Sequence, residues 1–237
     1  MIAVLQWTTL ALCAVVAIAR IPSALRGQNR SVFGLFVLAT IAILLSIDLP
    51  YRVVDSWLGA ENYANLILRF VVYSTVLLAG YRIAKAFDAP ESIRLVVGPL
   101  GLGVLCAVGI ATVALFLLAD TTGTATGLNS LPSRSPENAA LIEGYAAAGR
   151  LYPSFVAVCV LPATCRAVSQ RLPKAIRLAA LLLTVAFATL ALGSLYPLIP
   201  REAGFVKYVI NYTSALCFTV GLTLVWVSSL MANRVRR

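Results

Sequence analysis

The chain has 237 residues, 60% of them hydrophobic and only 12% charged, with a mean hydropathy of +0.91 and a formal net charge of +10. Soluble domains are nearer half apolar and a quarter charged, so this composition excludes an ordinary soluble globule and points to an integral membrane protein. The chain has no histidine, which excludes haem, His-ligated zinc or copper, and imidazole acid–base chemistry.

About 20 apolar residues, rising 1.5 Å each, cross the hydrocarbon core of a bilayer. Seven stretches reach that length: 2–20, 32–48, 63–83, 93–119, 139–166, 177–199 and 205–231. Lipid offers the backbone no hydrogen-bond partner, so each is predicted to be a helix, within one all-α membrane domain spanning 1–237. In the first stretch Ala17-Ile18-Ala19 resembles a signal-cleavage site, but Arg20 follows the apolar run and no basic residue precedes it. A retained helix is therefore expected.

The second stretch ends at Asp48-Leu49-Pro50, and the third carries Arg69 inside an otherwise apolar run. In the fourth, Gly103, Ala107 and Ala111 recur every four residues. They form a smooth stripe that another helix can approach closely, either within the bundle or from a second copy or membrane partner. Residues 120–136 are rich in Gly, Ser and Thr and read as an external flexible loop. Ser135-Pro136-Glu137 then supplies an N-cap, a first-turn proline and a first-turn acid for the fifth helix. Pro153 and Pro162 are expected to interrupt that helix. The five cysteines lie inside apolar stretches without CxxC spacing and read as small buried hydrophobes rather than disulfide partners.

The basic residues cluster in alternate connections. Arg20, Arg26 and Arg30 follow the first stretch, and Arg166, Arg171, Lys174 and Arg177 follow the fifth; the third stretch and the tail have similar clusters. The opposite side has only Arg52, Arg134, Arg201 and Lys207. This sidedness accounts for the basic balance better than a nucleic-acid partner does. It predicts an external N-terminus and a cytoplasmic C-terminus. Trp7 and Trp57 would then sit near the outer boundary and Trp226 toward the inner one.

Counted back from the cytoplasmic arginines, Arg69 lies about 10 Å and Arg150 about 6 Å below the outer surface. Each could snorkel to headgroups, but an intramembrane charge more often faces a wet cavity or a bundle interior. Asn65 and Tyr73 lie one turn either side of Arg69. Tyr152 adjoins Arg150, Glu143 lies near the boundary, and Tyr196, Asn211 and Tyr212 occupy the outer parts of the last two stretches. Together these nine residues form a candidate outward-opening pocket for an anionic group, with Glu143 as an alternative partner for the arginines.

A looser pattern suggests a parallel 3+1+3 repeat with the fourth helix as the inverting link. Overlaid, residues 45–51 face 192–198 and Arg69 faces Asn211. The Arg-rich first connection, Asp48-Leu49-Pro50, the Val54-Asp55-x-x-x-Gly59-x-x-Asn62 segment and the basic connection before Ala175-Ile176-Arg177-Leu178 together resemble a group of actinobacterial seven-helix membrane proteins known only by a provisional transporter label. The resemblance implies a multi-pass protein of a bacterial plasma membrane.

No phosphate-binding GxxxxGK[ST], HExxH or GxSxG motif is present, and no carboxylate pair lies at membrane depth. Neither an enzyme nor a cofactor is expected. Two functions remain: a small carrier or permease for a polar or anionic solute, and a non-enzymatic sensor, assembly or accessory subunit of a membrane complex.

Overall fold

A computed structural model describes residues 2–27, 30–128, 135–198 and 204–235, with side chains described except at 2, 196–198, 204, 207–208, 226 and 229–235. Among these residues the fold is all-helical. The elements are α1 (Ile2–Leu25), α2 (Arg30–Leu45), α3 (Asp48–Trp57), α4 (Tyr63–Ala86), α5 (Pro90–Val97), α6 (Pro99–Leu118), α7 (Pro136–Ser169), α8 (Lys174–Leu192), a 3₁₀ turn (Gly193–Leu198) and α9 (Gly204–Val235). Each predicted apolar stretch is mostly helical among the described residues. Five spans are long and apolar enough to cross a membrane: Ala3–Leu25, Tyr63–Ala86, Pro90–Leu118, Pro136–Ser169 and Lys174–Leu195. A sixth arises if the bent pair α2–α3 is one span, and the apolar stretch Val209–Val225 within α9 is shorter.

Three boundaries depart from the sequence reading. The second helix does not run on to 48. The Ser46 hydroxyl donates to the Ile43 carbonyl at 2.7 Å and closes α2 at Leu45. Ile47 is extended, and the chain then turns by 92° into α3. Pro50 falls in the first turn of α3, where its missing N–H costs nothing. This short helix is amphipathic: Tyr51 and Asp55 are buried one turn apart, while Leu49 and Trp57 are 71% and 82% exposed.

The predicted stretch 93–119 is also two helices, α5 and α6, joined at an extended Gly98. A Cβ at Gly98 would collide with the Arg94 carbonyl, and one at Gly101 with that of Val96, so the close turn of α6 over the end of α5 requires glycine at both positions. In the opposite sense, α7 runs unbroken through Pro153 and Pro162, whereas the sequence reading expected an interruption. Tertiary packing holds the helix together, although Pro153 still removes the N–H that would bond the Gly149 carbonyl. The Ser135 cap is as predicted, its hydroxyl accepting from Asn138 N–H at 3.1 Å.

Six helices close a ring. α1 packs on α2, α2 on α4, α4 on α7, α7 on α8, α8 on α9, and α9 back on α1. Hydrogen bonds fix their relative directions. Gln6 meets Tyr212 and, seven residues further along both chains, Cys13 meets Thr219, so α1 and α9 run parallel. Asn65 meets Tyr145 and Gly80 lies against Val156, so α4 and α7 do too. α6 lies outside the ring against α4 and α7. Its buried side is Gly101, Val108, Gly109, Thr112 and Phe116, which leaves Gly103, Ala107 and Ala111 facing away from the bundle.

Candidate functional site

The ring encloses a cavity of about 520 Å³, to which all six of its helices contribute. α4 supplies Arg69, Val72, Thr75, Val76 and Ala79; α7 supplies Gly149, Arg150 and Pro153. α9 adds Asn211, Ser214, Ala215, Phe218 and Thr219, and the rest comes from α1, α2 and α8. Among the described residues the lining contains two arginines and no carboxylate.

The Arg69 side chain crosses from α4 to α7. Its guanidinium carbon lies 5.1 Å from the centre of the Tyr145 ring, a cation–π distance. The same guanidinium passes over the Cα of Gly149, where any Cβ would overlap it. Its Nε is buried without a hydrogen-bond partner. Arg69 is therefore directed into the bundle rather than out toward headgroups, and Tyr145 and Gly149 set its position. Neither was evident from the sequence. Gly149 could have been read from its place beside Arg150; Tyr145 gave no signal, because the contact spans 76 residues of chain.

Arg69, Arg150 and Asn211 line this one cavity. Of the other predicted pocket residues, Asn65, Tyr73, Glu143, Tyr152 and Tyr212 do not. Asn65 is buried, accepting from the Tyr145 hydroxyl at 2.9 Å and donating to the Thr126 carbonyl at 3.2 Å. Tyr73 is also buried; its hydroxyl pairs with that of Thr112 at 2.8 Å, and its ring packs edge-on against Tyr152 at 5.7 Å. Side chains whose hydrogen bonds tie α4 to α6 and α7 cannot also face the cavity. Tyr152 lies in the same buried cluster, its hydroxyl without a hydrogen-bond partner. Glu143 is exposed and outside the lining, so it does not neutralise the cavity. Tyr212, on α9, is tied to α1 and to the residue that follows α2. Gln6 Nε2 donates to its hydroxyl at 2.7 Å, and that hydroxyl donates to Ser46 Oγ at 3.1 Å, because the Ser46 proton is committed to Ile43. The Tyr196 side chain lies outside the described residues.

A second polar cluster, unforeseen as a unit, covers the N-terminal end of α4. The buried carboxylate of Asp55, on α3, accepts the backbone N–H groups of Asn62 and Ala64, both at 3.2 Å, and the Thr124 hydroxyl at 3.0 Å. It thus caps α4 from another helix, with its charge at the positive end of the dipole. Asn62 takes a left-handed conformation (φ +62°). Its side chain accepts from the Tyr51 hydroxyl at 2.7 Å and from Ala125 N–H at 3.0 Å, and donates to the carbonyls of Thr121 and Gly123. Residues 120–128 of the predicted flexible loop are thereby tied across the bundle. The spacing Asp55-x-x-x-Gly59-x-x-Asn62 has a structural cause: a carboxylate cap, a glycine at φ +99°, and a left-handed asparagine.

No family model, curated protein or solved structure matches the chain. The cavity must be interpreted from its own chemistry. Two guanidinium groups in a helix-walled site can hold an anion through charge and multiple N–H donors. The described residues contain no group of three or more His, Cys, Asp or Glu able to hold a metal.

Proposed function

We propose that the chain is a small carrier or permease for an anionic solute, bound in the central cavity by Arg69 and Arg150. It would have seven spans in a bacterial plasma membrane, with the N-terminus outside and the C-terminus cytoplasmic. The observation that carries this reading is the cavity itself: six helices surround it, and among the described residues its charged side chains are two arginines. Intramembrane charge is costly and is retained where it serves a pathway or a site.

The arrangement of the halves supports a carrier. α1, α2 and α4 precede the peripheral α6, and α7, α8 and α9 follow it, as a 3+1+3 repeat requires. Arg69 and Asn211, which face each other when the halves are overlaid, line the same cavity. Such repeats place the substrate between their halves. The test is labelling of Arg69→Cys and Arg150→Cys by a membrane-impermeant thiol reagent, with the native cysteines replaced. Reaction at both from outside is expected; protection of both would remove the outward-open pocket.

A second reading, as an accessory subunit, is favoured by one observation. The Gly103, Ala107 and Ala111 stripe is exposed on the one long helix outside the ring. A stoichiometric partner, or a homodimer lost on Gly103→Leu, in protein extracted under mild conditions would support it.

A further inference from the structure

Building on the anion-carrier reading, we infer that the solute is an amphiphile: a carboxylate or phosphate head held by Arg69 and Arg150, with an apolar tail occupying the deeper part of the same cavity. The lining is divided along its length. Arg69, Arg150 and Asn211 lie in the earlier parts of three ring helices, and the walls beyond them on α4 and α9 are Val72, Val76, Ala79, Ala215 and Phe218. From Arg69 to Ala79 along α4 is about 15 Å at 1.5 Å per residue.

The hydroxyls that line the cavity offer a ligand no spare proton. Thr75 donates to the Val71 carbonyl, Thr189 to Val185, Ser214 to Ala186 and Thr219 to Ala215, all at 2.7–2.9 Å. The Cys13 thiol, 3.2 Å from Thr219 Oγ1, is left as donor to that oxygen. A hydrophilic anion with several hydroxyls would find few donors there and would lose hydration without replacement, which is unfavourable. An alkyl tail loses nothing and gains about fourfold in affinity per buried methylene. The charged groups that line the cavity are instead the guanidinium groups of Arg69 and Arg150.

The test uses the full chain in nanodiscs of zwitterionic lipid and reads thermal unfolding against ligand concentration. The probes are acetate and inorganic phosphate, decanoate and decyl phosphate, with decanol as the uncharged control. Stabilisation at concentrations at least tenfold lower for the alkyl anions than for acetate or phosphate, absent with decanol and weakened at least tenfold by Arg69→Gln, is expected. Ala215→Phe, which fills the apolar end, should abolish the advantage of decanoate over acetate while leaving acetate binding intact. Equal or tighter binding of the short anions would overturn the amphiphile and leave an anion carrier standing. If neither class binds, or if Arg69→Gln changes nothing, the carrier reading fails and the amphiphile with it. Repeating the titration with anionic phospholipid in the disc separates the sources. Suppression of the decanoate effect identifies a bilayer lipid as the amphiphile, and an unchanged effect identifies a soluble one.

Discussion

Gly149→Ala separates the position of Arg69 from its presence. The new methyl would overlap the guanidinium, so Arg69 must leave Gly149 and loosen its contact with the Tyr145 ring. A guanidinium is the far end of a flexible side chain and can move without disturbing the helices. Alanine in a helix interior is favoured over glycine by about 0.5–1 kcal/mol. Losing a partly desolvated cation–π contact costs about 1–2 kcal/mol. The net effect is a destabilisation of about 0–1.5 kcal/mol, measurable as a small shift in thermal unfolding. Ligand binding should suffer more: a displaced charge-assisted contact is worth about 1.5–3 kcal/mol, or tenfold and above in Kd for decyl phosphate. In an Arg69→Ala background, where there is nothing left to displace, the same substitution should stabilise by about 0.5–1 kcal/mol. Destabilisation beyond about 3 kcal/mol in the otherwise native chain, or an equal cost in both backgrounds, would refute the view that Gly149 acts by positioning Arg69.

Three further outcomes follow from the packing. Asp55→Ala removes the acceptor for two backbone N–H groups and for Thr124, and should lower stability by about 1–3 kcal/mol while exposing 120–128 to added protease; unchanged proteolysis would show that the cap does not hold this segment. Tyr212→Phe should cost about 1–2 kcal/mol through loss of its bonds to Gln6 and Ser46, read as earlier thermal unfolding. Gly98→Ala should cost above about 2 kcal/mol, because its methyl meets the rigid Arg94 carbonyl rather than a movable side chain; normal expression and melting would contradict the close α5–α6 turn.

Features set within a few residues were legible from the local sequence. Ser135 caps α7 because its hydroxyl needs only the N–H three residues on, and the apolar stretches became helices because the helix satisfies its own backbone. Arg69, Arg150 and Asn211 were grouped from their positions along their helices, and these three line one cavity. Facing could not be counted. Tyr73 and Asn65 share a helical face with Arg69, yet their partners are Thr112 on α6 and Tyr145 on α7, and nothing near them in the chain announces those contacts. The breaks at 46–47 and Gly98, and the continuity of α7 through its prolines, were misread for a related reason: hydropathy measures apolarity and says little about direction.

By itself, then, the sequence determined the helical, apolar character of the chain and the ends of several helices, since each depends on neighbours within about one turn or on the lipid outside. Only the tertiary structure decided that α6 stands outside the ring, that Asp55 caps a helix it does not belong to, and that Arg69 crosses to Gly149 rather than rising to the surface. Those outcomes depend on which surfaces meet across scores of intervening residues, where steric fit and hydrogen-bond satisfaction select one packing among many that the same apolar pattern would allow.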